Sequence, residues 1–351
     1  MILKEFRELV RDRRTLGLLV MMPLLLLVLF GYAANFYVSS VRAAVVGPRA
    51  SQVAAMLPSF FDVTVTEPSG TQADAEMLLQ DNKVDVAFVT GETPVLALVN
   101  GSNLFAAQST VAALNKAGSQ VKTQVLYNPD LKTSWVMVPA IIGLILTFIG
   151  TIVTSIGLVR EREAGTLEQL AVMPIKPSRV ILGKIAPYFL VASLDMLIVT
   201  VLGIALFGVP FNGNPFAFVL GAGIFLFVVL GLGVAISTIS QTSGQAIQTA
   251  IFFLVPQVLL SGMAFPLYAM AAGVRWIGYL FPLTYFIMIS QGIMLRGAPI
   301  TSLWLPFVVL TVMAVVVFTG ATLRFRRDLA PGGPGSPAGQ QPSAAETVST
   351  A

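Results

Sequence analysis

Long apolar runs decide what this chain can fold into. Crossing a bilayer core takes about 20 predominantly apolar residues. Thr15–Val38, Trp135–Val159, Ile185–Gly208, Phe216–Ile239, Ala246–Met263 and Leu303–Leu323 all reach or approach that length. Charged residues make up 11% of the 351 residues and hydrophobic ones 56%, whereas an average soluble domain carries roughly 25% charged residues. Mean hydropathy is +0.83. These features predict an α-helical polytopic membrane protein with six transmembrane helices.

Orientation follows from where Lys and Arg gather. Met1–Arg14 is basic and amphipathic, with Leu3, Phe6 and Val10 on one side, as in a helix lying on the inner membrane surface. A cleavable signal peptide is the rival reading, with Gly31-Tyr-Ala33 as its cleavage site, but the apolar run exceeds the usual h-region of about 7–15 residues. With the N-terminus inside, residues 39–134 fall outside the membrane. Strands are expected at Val41–Val46, Phe61–Thr66, Val84–Thr90 and Val95–Val99. Helices are expected at Ser51–Leu57, Ala73–Asp81 and Leu104–Leu126. The result is a small α/β extracytoplasmic domain. Between the fifth and last spans, in segment 264–298, Leu267–Tyr279 and Leu283–Leu295 are too short to cross, and read as a re-entrant pair on the outer side. Arg324, Arg326 and Arg327 return the chain to the cytosol, and the Pro/Gly/Ser/Ala-rich tail within 326–351 is expected to be disordered. Both termini are then cytoplasmic, with the protein multi-pass in a bacterial cell membrane.

Several chemistries are excluded. There is no cysteine and no histidine, which removes thiol chemistry and the commonest general base and metal ligand. No G-x-x-x-x-G-K-[ST] phosphate loop occurs. Asp195 is the only acidic residue well inside a span, so paired-aspartate proteolysis is excluded too. The net charge of +4 reflects basic residues flanking the spans rather than a nucleic-acid surface. The chain is therefore expected to be no enzyme, with no catalytic, metal or cofactor site of its own.

Two regions remain as candidate sites. The loop 160–178 joins the second and third spans. Gly165 breaks the chain, Thr166 and Gln169 have capping-box spacing, Leu167, Leu170 and Ala171 share a face, and Pro174 stops the turn. A short amphipathic helix outside the membrane suits docking to another protein; an ordinary positive-inside loop is the other reading. In the spans, Asp195 lies near the middle of the third, where a carboxylate either serves function or ties helices together, with Ser193 or Thr200 among its potential partners. Gln241, Gln245 and Gln248 follow helical spacing, with Pro256 and Gln257 farther along and Phe252 and Phe253 beside them. Asp195, Gln248, Phe252, Phe253, Pro256 and Gln257 are the candidate path residues.

The loop Glu161-Arg-Glu163-Ala-Gly165-Thr166-Leu-Glu168-Gln-Leu170, closed by Pro174, resembles the E-x-E-x-G-T-x-E-x-L-x-x-x-P pattern of ABC-2 type permeases, membrane subunits of ATP-binding-cassette exporters. Ser261–Pro266, Phe281–Tyr285, Gly292 and Leu295–Gly297 are similar to the family's segment before the last span. Asn100-Gly-Ser102 is similar to its D-G-S segment, with Asn100 in place of Asp. The resemblance implies a half-transporter that pairs with a second permease, identical or related, and with separate ATPase subunits that bind ATP and Mg. Met1–Arg14 would be the connecting helix. Glu161, Glu163, Gly165, Thr166, Leu167, Glu168, Leu170 and Pro174 would form the ATPase coupling site. The substrate class implied is drug-like or lipid-like, hydrophobic or amphipathic. A proton-coupled carrier built on Asp195 and a non-transporting scaffold are the competing function classes.

Overall fold

The computed structural model describes residues 17, 21–25, 27–28, 40–91, 93–116, 121–164 and 177–328. The N-terminal helix, most of the first expected span, Gly165, Thr166, Leu167, Glu168, Leu170 and Pro174 of the loop, and the tail beyond 328 lie outside the described residues.

The α/β domain is built on a five-stranded sheet ordered β2-β1-β3-β4-β5. Its strands are β1 (Val41–Val46), β2 (Phe61–Glu67), β3 (Val86–Val89), β4 (Val95–Asn100) and β5 (Val121–Leu126). β1 runs parallel to both β2 and β3, β3 is antiparallel to β4, and β4 is parallel to β5. Helices α1 (Ala50–Met56) and α3 (Leu104–Lys116) cover one face, and α2 (Gln72–Gln80) covers the other. Side-chain alternation does the sorting. Val41, Ala43 and Val45 of β1 join Ala50 and Leu114 on one side, while Ala44 and Val46 join Ala75 and Leu79 on the other. Burial on both faces is why β3, Ala43–Val46 of β1 and Val95–Val99 of β4 read as continuous apolar runs. Thr71 and Asp74 close a capping box at the start of α2.

One expectation is overturned here. Leu104–Leu126 is not a single helix: α3 ends at Lys116 and β5 begins at Val121. Gly118 interrupts the helical pattern, and Val121-Lys-Thr-Gln-Val125 alternates with period two. An edge position beside β4 offers a full ladder to that segment.

Below the domain lie α4 (Thr133–Glu163), α5 (Pro177–Phe207), α6 (Pro215–Ile239), α7 (Ser243–Leu260), α8 (Ala272–Gly278), α9 (Pro282–Met294) and α10 (Trp304–Asp328). Five of these, α4, α5, α6, α7 and α10, are long and apolar enough to cross a membrane. The mostly helical chain with its small mixed sheet is a multi-pass membrane protein. The last helix runs on to Asp328, past its expected end at Leu323. In place of a helix over Leu267–Tyr279 there is a 3-10 turn, Leu267–Ala269, followed by the seven-residue α8.

α4 and α6 form the centre of the bundle and α5 its margin. The apolar stretch of α6 is 61% buried and that of α5 only 22%, so α5 turns Leu190, Leu194 and Leu197 outward from the bundle. Small residues let the central helices approach closely. A Cβ added at Gly143 of α4 would meet Phe286 of α9 at 2.5 Å. α9 is also bonded to α4 near Pro139: Ser290 Oγ donates to the Pro139 carbonyl at 3.3 Å and Gln291 Nε2 to that of Val136 at 3.0 Å.

Candidate functional site

The lower end of α4 carries a pair of adjacent charges fixed to the turn between α6 and α7. Arg162 Nη1 donates to the carbonyls of Ser237 and Ser240, each at 3.0 Å. These are carbonyls of the last turn of α6, where the helix dipole favours a cation. Glu163 Oε1 accepts from the Ser243 amide at 3.0 Å and Oε2 from the Ser243 hydroxyl at 2.9 Å. That places a carboxylate at the start of α7, where the dipole favours an anion. The sequence provides this locally. Ser240 caps α6, Thr242 Oγ1 accepts from the Gln245 amide as the N-cap of α7, and no charge lies within the turn itself. Residues 165–176, which follow directly, fall outside the described residues.

Of the expected coupling residues, the structure thus places Glu161 and Glu163 on the last turn of α4, with Glu163 engaged by α7. Arg162 is the residue the sequence reading missed as a site. It counted only as a charge setting orientation, although its position beside Glu163 was visible.

The expected path residues divide between two helices. Asp195 lies on α5, which packs against α4, α6 and α10; the rest lie on α7, which packs against α4, α6, α8 and α9. Asp195 makes no bond to Ser193 or Thr200. Its Oδ2 and the Thr200 hydroxyl are both buried without a hydrogen-bond partner among the described residues. Gln248 Oε1 is in the same condition. Gln257 is fully buried, and its Oε1 accepts from the Leu283 amide at 3.1 Å, so it caps the first turn of α9. Pro256 is buried beside it, and Phe253 meets Phe281 edge-on at 5.8 Å; Phe252 is half-buried. Gln241 does not share a helix face with Gln245 and Gln248, because α7 starts only at Ser243. Its amide instead donates to Gln245 Oε1.

A second polar cluster joins the α/β domain to the bundle. Arg42 pairs with Asp85 through two 3.0 Å bonds. Burial opposes the Arg42 charge, but the Asp85 carboxylate outweighs it and raises the guanidinium pKa. Asn100 Oδ1 accepts from Ser102, and Asn100 Nδ2 donates to Leu79 O and Asn82 Oδ1. An aspartate at this position would lack those two donations. Past the end of α9, Arg296 donates to Gln80 O at 3.1 Å and Ser102 Oγ at 2.9 Å, while Gln80 Nε2 donates back to the carbonyls of Arg296 and Gly297. Burial pushes the Arg296 pKa down to about 10. Ser302 Oγ donates to Asp81 at 2.5 Å.

Five long apolar helices joined to a small α/β domain define the chain as a multi-pass membrane protein. The profile of the ABC-2 family transporter protein family matches residues 13–323, and the chain belongs to that family. It is 27% identical to the probable multidrug ABC transporter permease YbhS of Escherichia coli K12, over 93% of this chain and 96% of that one. It is 32% identical to the inner membrane transport permease YhhJ of the same organism, over 74% of this chain and 70% of that one. A 24% identity to ABC transporter G family member 20 of Dictyostelium discoideum covers 75% of this chain and 36% of that one. The chain is accordingly a permease rather than an enzyme, and its family implies an ATP-binding partner in the same transporter.

Proposed function

We propose that the chain is the permease half of an ABC exporter. It would pair with a second permease chain in the membrane, keep both termini in the cytosol, and receive separate ATPase subunits on the loop 160–178. Those subunits would bind ATP and Mg. Hydrophobic or amphipathic compounds would be the cargo, a reading supported by the apolar bundle and by the multidrug name of the YbhS relative.

The observation that carries this reading is the pair Arg162 and Glu163. A loop that merely connects two spans needs no mechanical link to a third and a fourth. Here the helix leading into the loop is bonded to both sides of the α6–α7 turn, so a push on the loop would reach α6 and α7 as well as α4 and α5. Glu161, Gly165, Thr166, Leu167, Glu168, Leu170 and Pro174 would form the docking surface, with Glu163 and Arg162 positioning it. The test is co-purification in mild detergent, with mass spectrometry of the associated proteins. An ABC ATPase should accompany the wild type and be lost from Glu168→Arg. Its absence from a folded wild-type preparation, or its retention by the variant, overturns the docking assignment.

A further inference from the structure

A cavity of about 270 Å³ lies where the outer sheet meets the outer ends of α4, α7 and α9. Arg42 and Arg296 line its polar side, Met137, Met263 and Met288 its apolar side, and Ser261 at the end of α7 also faces it. The charges of this wall do not cancel. Arg42 is neutralised by Asp85. Arg296 is only 6% exposed, and its two hydrogen-bond acceptors are both neutral, Gln80 O and Ser102 Oγ. Asp81 is held by Lys83 and Ser302. No carboxylate pairs with Arg296 among the described residues, and its Nη2 group makes no hydrogen bond there. Asp85 and Asp81 act on Arg296 only from a distance; a buried guanidinium with no carboxylate in contact is unfavourable, and its planar fork of donors matches a phosphate or carboxylate.

A separate observation concerns Ser261. Its hydroxyl is buried with no hydrogen-bond partner among the described residues. A lined cavity therefore holds both a buried cation with no carboxylate in direct contact and an unused hydroxyl. The methionines opposite them add an unbranched, adaptable apolar surface, which suits a flexible chain better than a rigid ring. The volume falls just below the usual range for small-molecule pockets, roughly 300–1,000 Å³, enough for a head group and the beginning of a tail. Trp276 and Leu280 of the adjacent α8 segment are 70% and 71% exposed, as in residues that sit at a membrane–water interface.

We propose that this cavity binds an amphiphile by its anionic head group, with Arg296 as the anchoring cation, Ser261 as a second donor and the three methionines against the upper chain. The site is independent of the docking loop and does not rest on the exporter reading. An anionic lipid of the surrounding membrane and an anionic amphiphile in transit share this chemistry.

The experiment uses the full chain, delipidated in a neutral detergent. Binding is followed by fluorescence with a short-chain phosphatidylglycerol analogue, the phosphatidylcholine analogue with the same labelled tail, and glycerol 3-phosphate as the head alone. The phosphatidylglycerol probe should bind saturably and about tenfold or more tighter than the phosphatidylcholine probe, and glycerol 3-phosphate should not compete at equal concentration. Arg296→Gln should remove that preference. Because Arg296 also bonds the outer domain, Met288→Trp provides the second arm: it fills the apolar wall, leaves the Arg296 bonds in place, and should weaken binding about tenfold. Equal affinity for the two lipids, or unchanged binding by Met288→Trp, overturns the proposal. Phosphatidylglycerol that stays with the wild type before delipidation and is lost from Met288→Trp marks a resident lipid. A site that fills only with added probe marks a transient amphiphile. Both outcomes support the site.

Discussion

Replacing Arg162 with alanine isolates the link between α4 and the α6–α7 turn. Both hydrogens of Nη1 are used, one on Ser237 O and one on Ser240 O. A hydrogen bond to a charged group contributes about 1.5–3 kcal/mol. Arg162 is half-buried, and the two carbonyls become free to bind water, so a net cost of about 1–2 kcal/mol is expected, well below the sum of two bonds. The cost falls locally, on the last turn of α6, where the Ser240 amide donates to Ile236 O. At about 1.4 kcal/mol per factor of ten, hydrogen exchange at that amide should quicken about 5- to 30-fold. Glu163→Ala should instead quicken exchange at the Ser243 amide, which Glu163 accepts. Hydrogen–deuterium exchange with peptide-level mass spectrometry in detergent separates the two when cleavage after Ser240 leaves the Ser240 amide in one peptide and the Ser243 amide third in the next. Exchange in Arg162→Ala that matches wild type over 237–246 would show that the bonds carry no load and that α4 passes no push to the α6–α7 turn.

Asp195→Asn should leave ATP-dependent transport within about twofold of wild type, because the exporter reading asks no proton of that carboxyl; loss of transport in vesicles would favour a proton-coupled carrier. Gly143→Leu should lower the melting temperature in detergent through overpacking against Phe286, costing about 1–3 kcal/mol; an unchanged midpoint would contradict the close α4–α9 contact. Asp74 has a lowered pKa because its carboxylate accepts from the Thr71 amide and then the Thr71 hydroxyl. The stabilisation this brings to α2 is therefore complete above the ordinary carboxylate pKa, about 3.9, and disappears as pH falls through the lowered folded value. Acid titration followed by NMR should show α2 fraying there in wild type, and Asp74→Asn should abolish the pH dependence of that fraying.

The sequence made legible whatever depends on local periodicity. Apolar runs located α4, α5, α6, α7 and α10, and alternation located four strands to within a residue or two. β5 was hidden because Leu104–Leu126 contains enough apolar residues at mixed spacing to pass for one helix, and only the edge of β4 settles the question. The site was legible as a loop but not as a mechanism. Arg162 gets its meaning from Ser237 and Ser240, 75 and 78 positions away, and no spacing rule reaches that far. Arg296 stood in the sequence only within the family-like segment Leu295–Gly297 for the same reason, since its partners, Gln80 and Ser102, lie in the α/β domain. Gln257 was singled out for its polarity within a span; its bond to the Leu283 amide is set by how α7 meets α9.

The bonds between Gln80 and Arg296 join residues 216 positions apart, and Ser302 reaches back 221 to Asp81. At about 5–20 residues per second of synthesis, Gln80 waits roughly ten to forty seconds before its partner exists. During that interval the sheet has its own two-sided core, while Gln80 and Asp81 lack their partners from the segment after α9. The order of birth thus runs opposite to the order of support: the outer domain is made early, and the segment that seats it on the membrane helices arrives near the end. A chain stalled after α7 would carry the α/β domain without the bonds from Arg296 and Ser302 that tie it to the segment after α9.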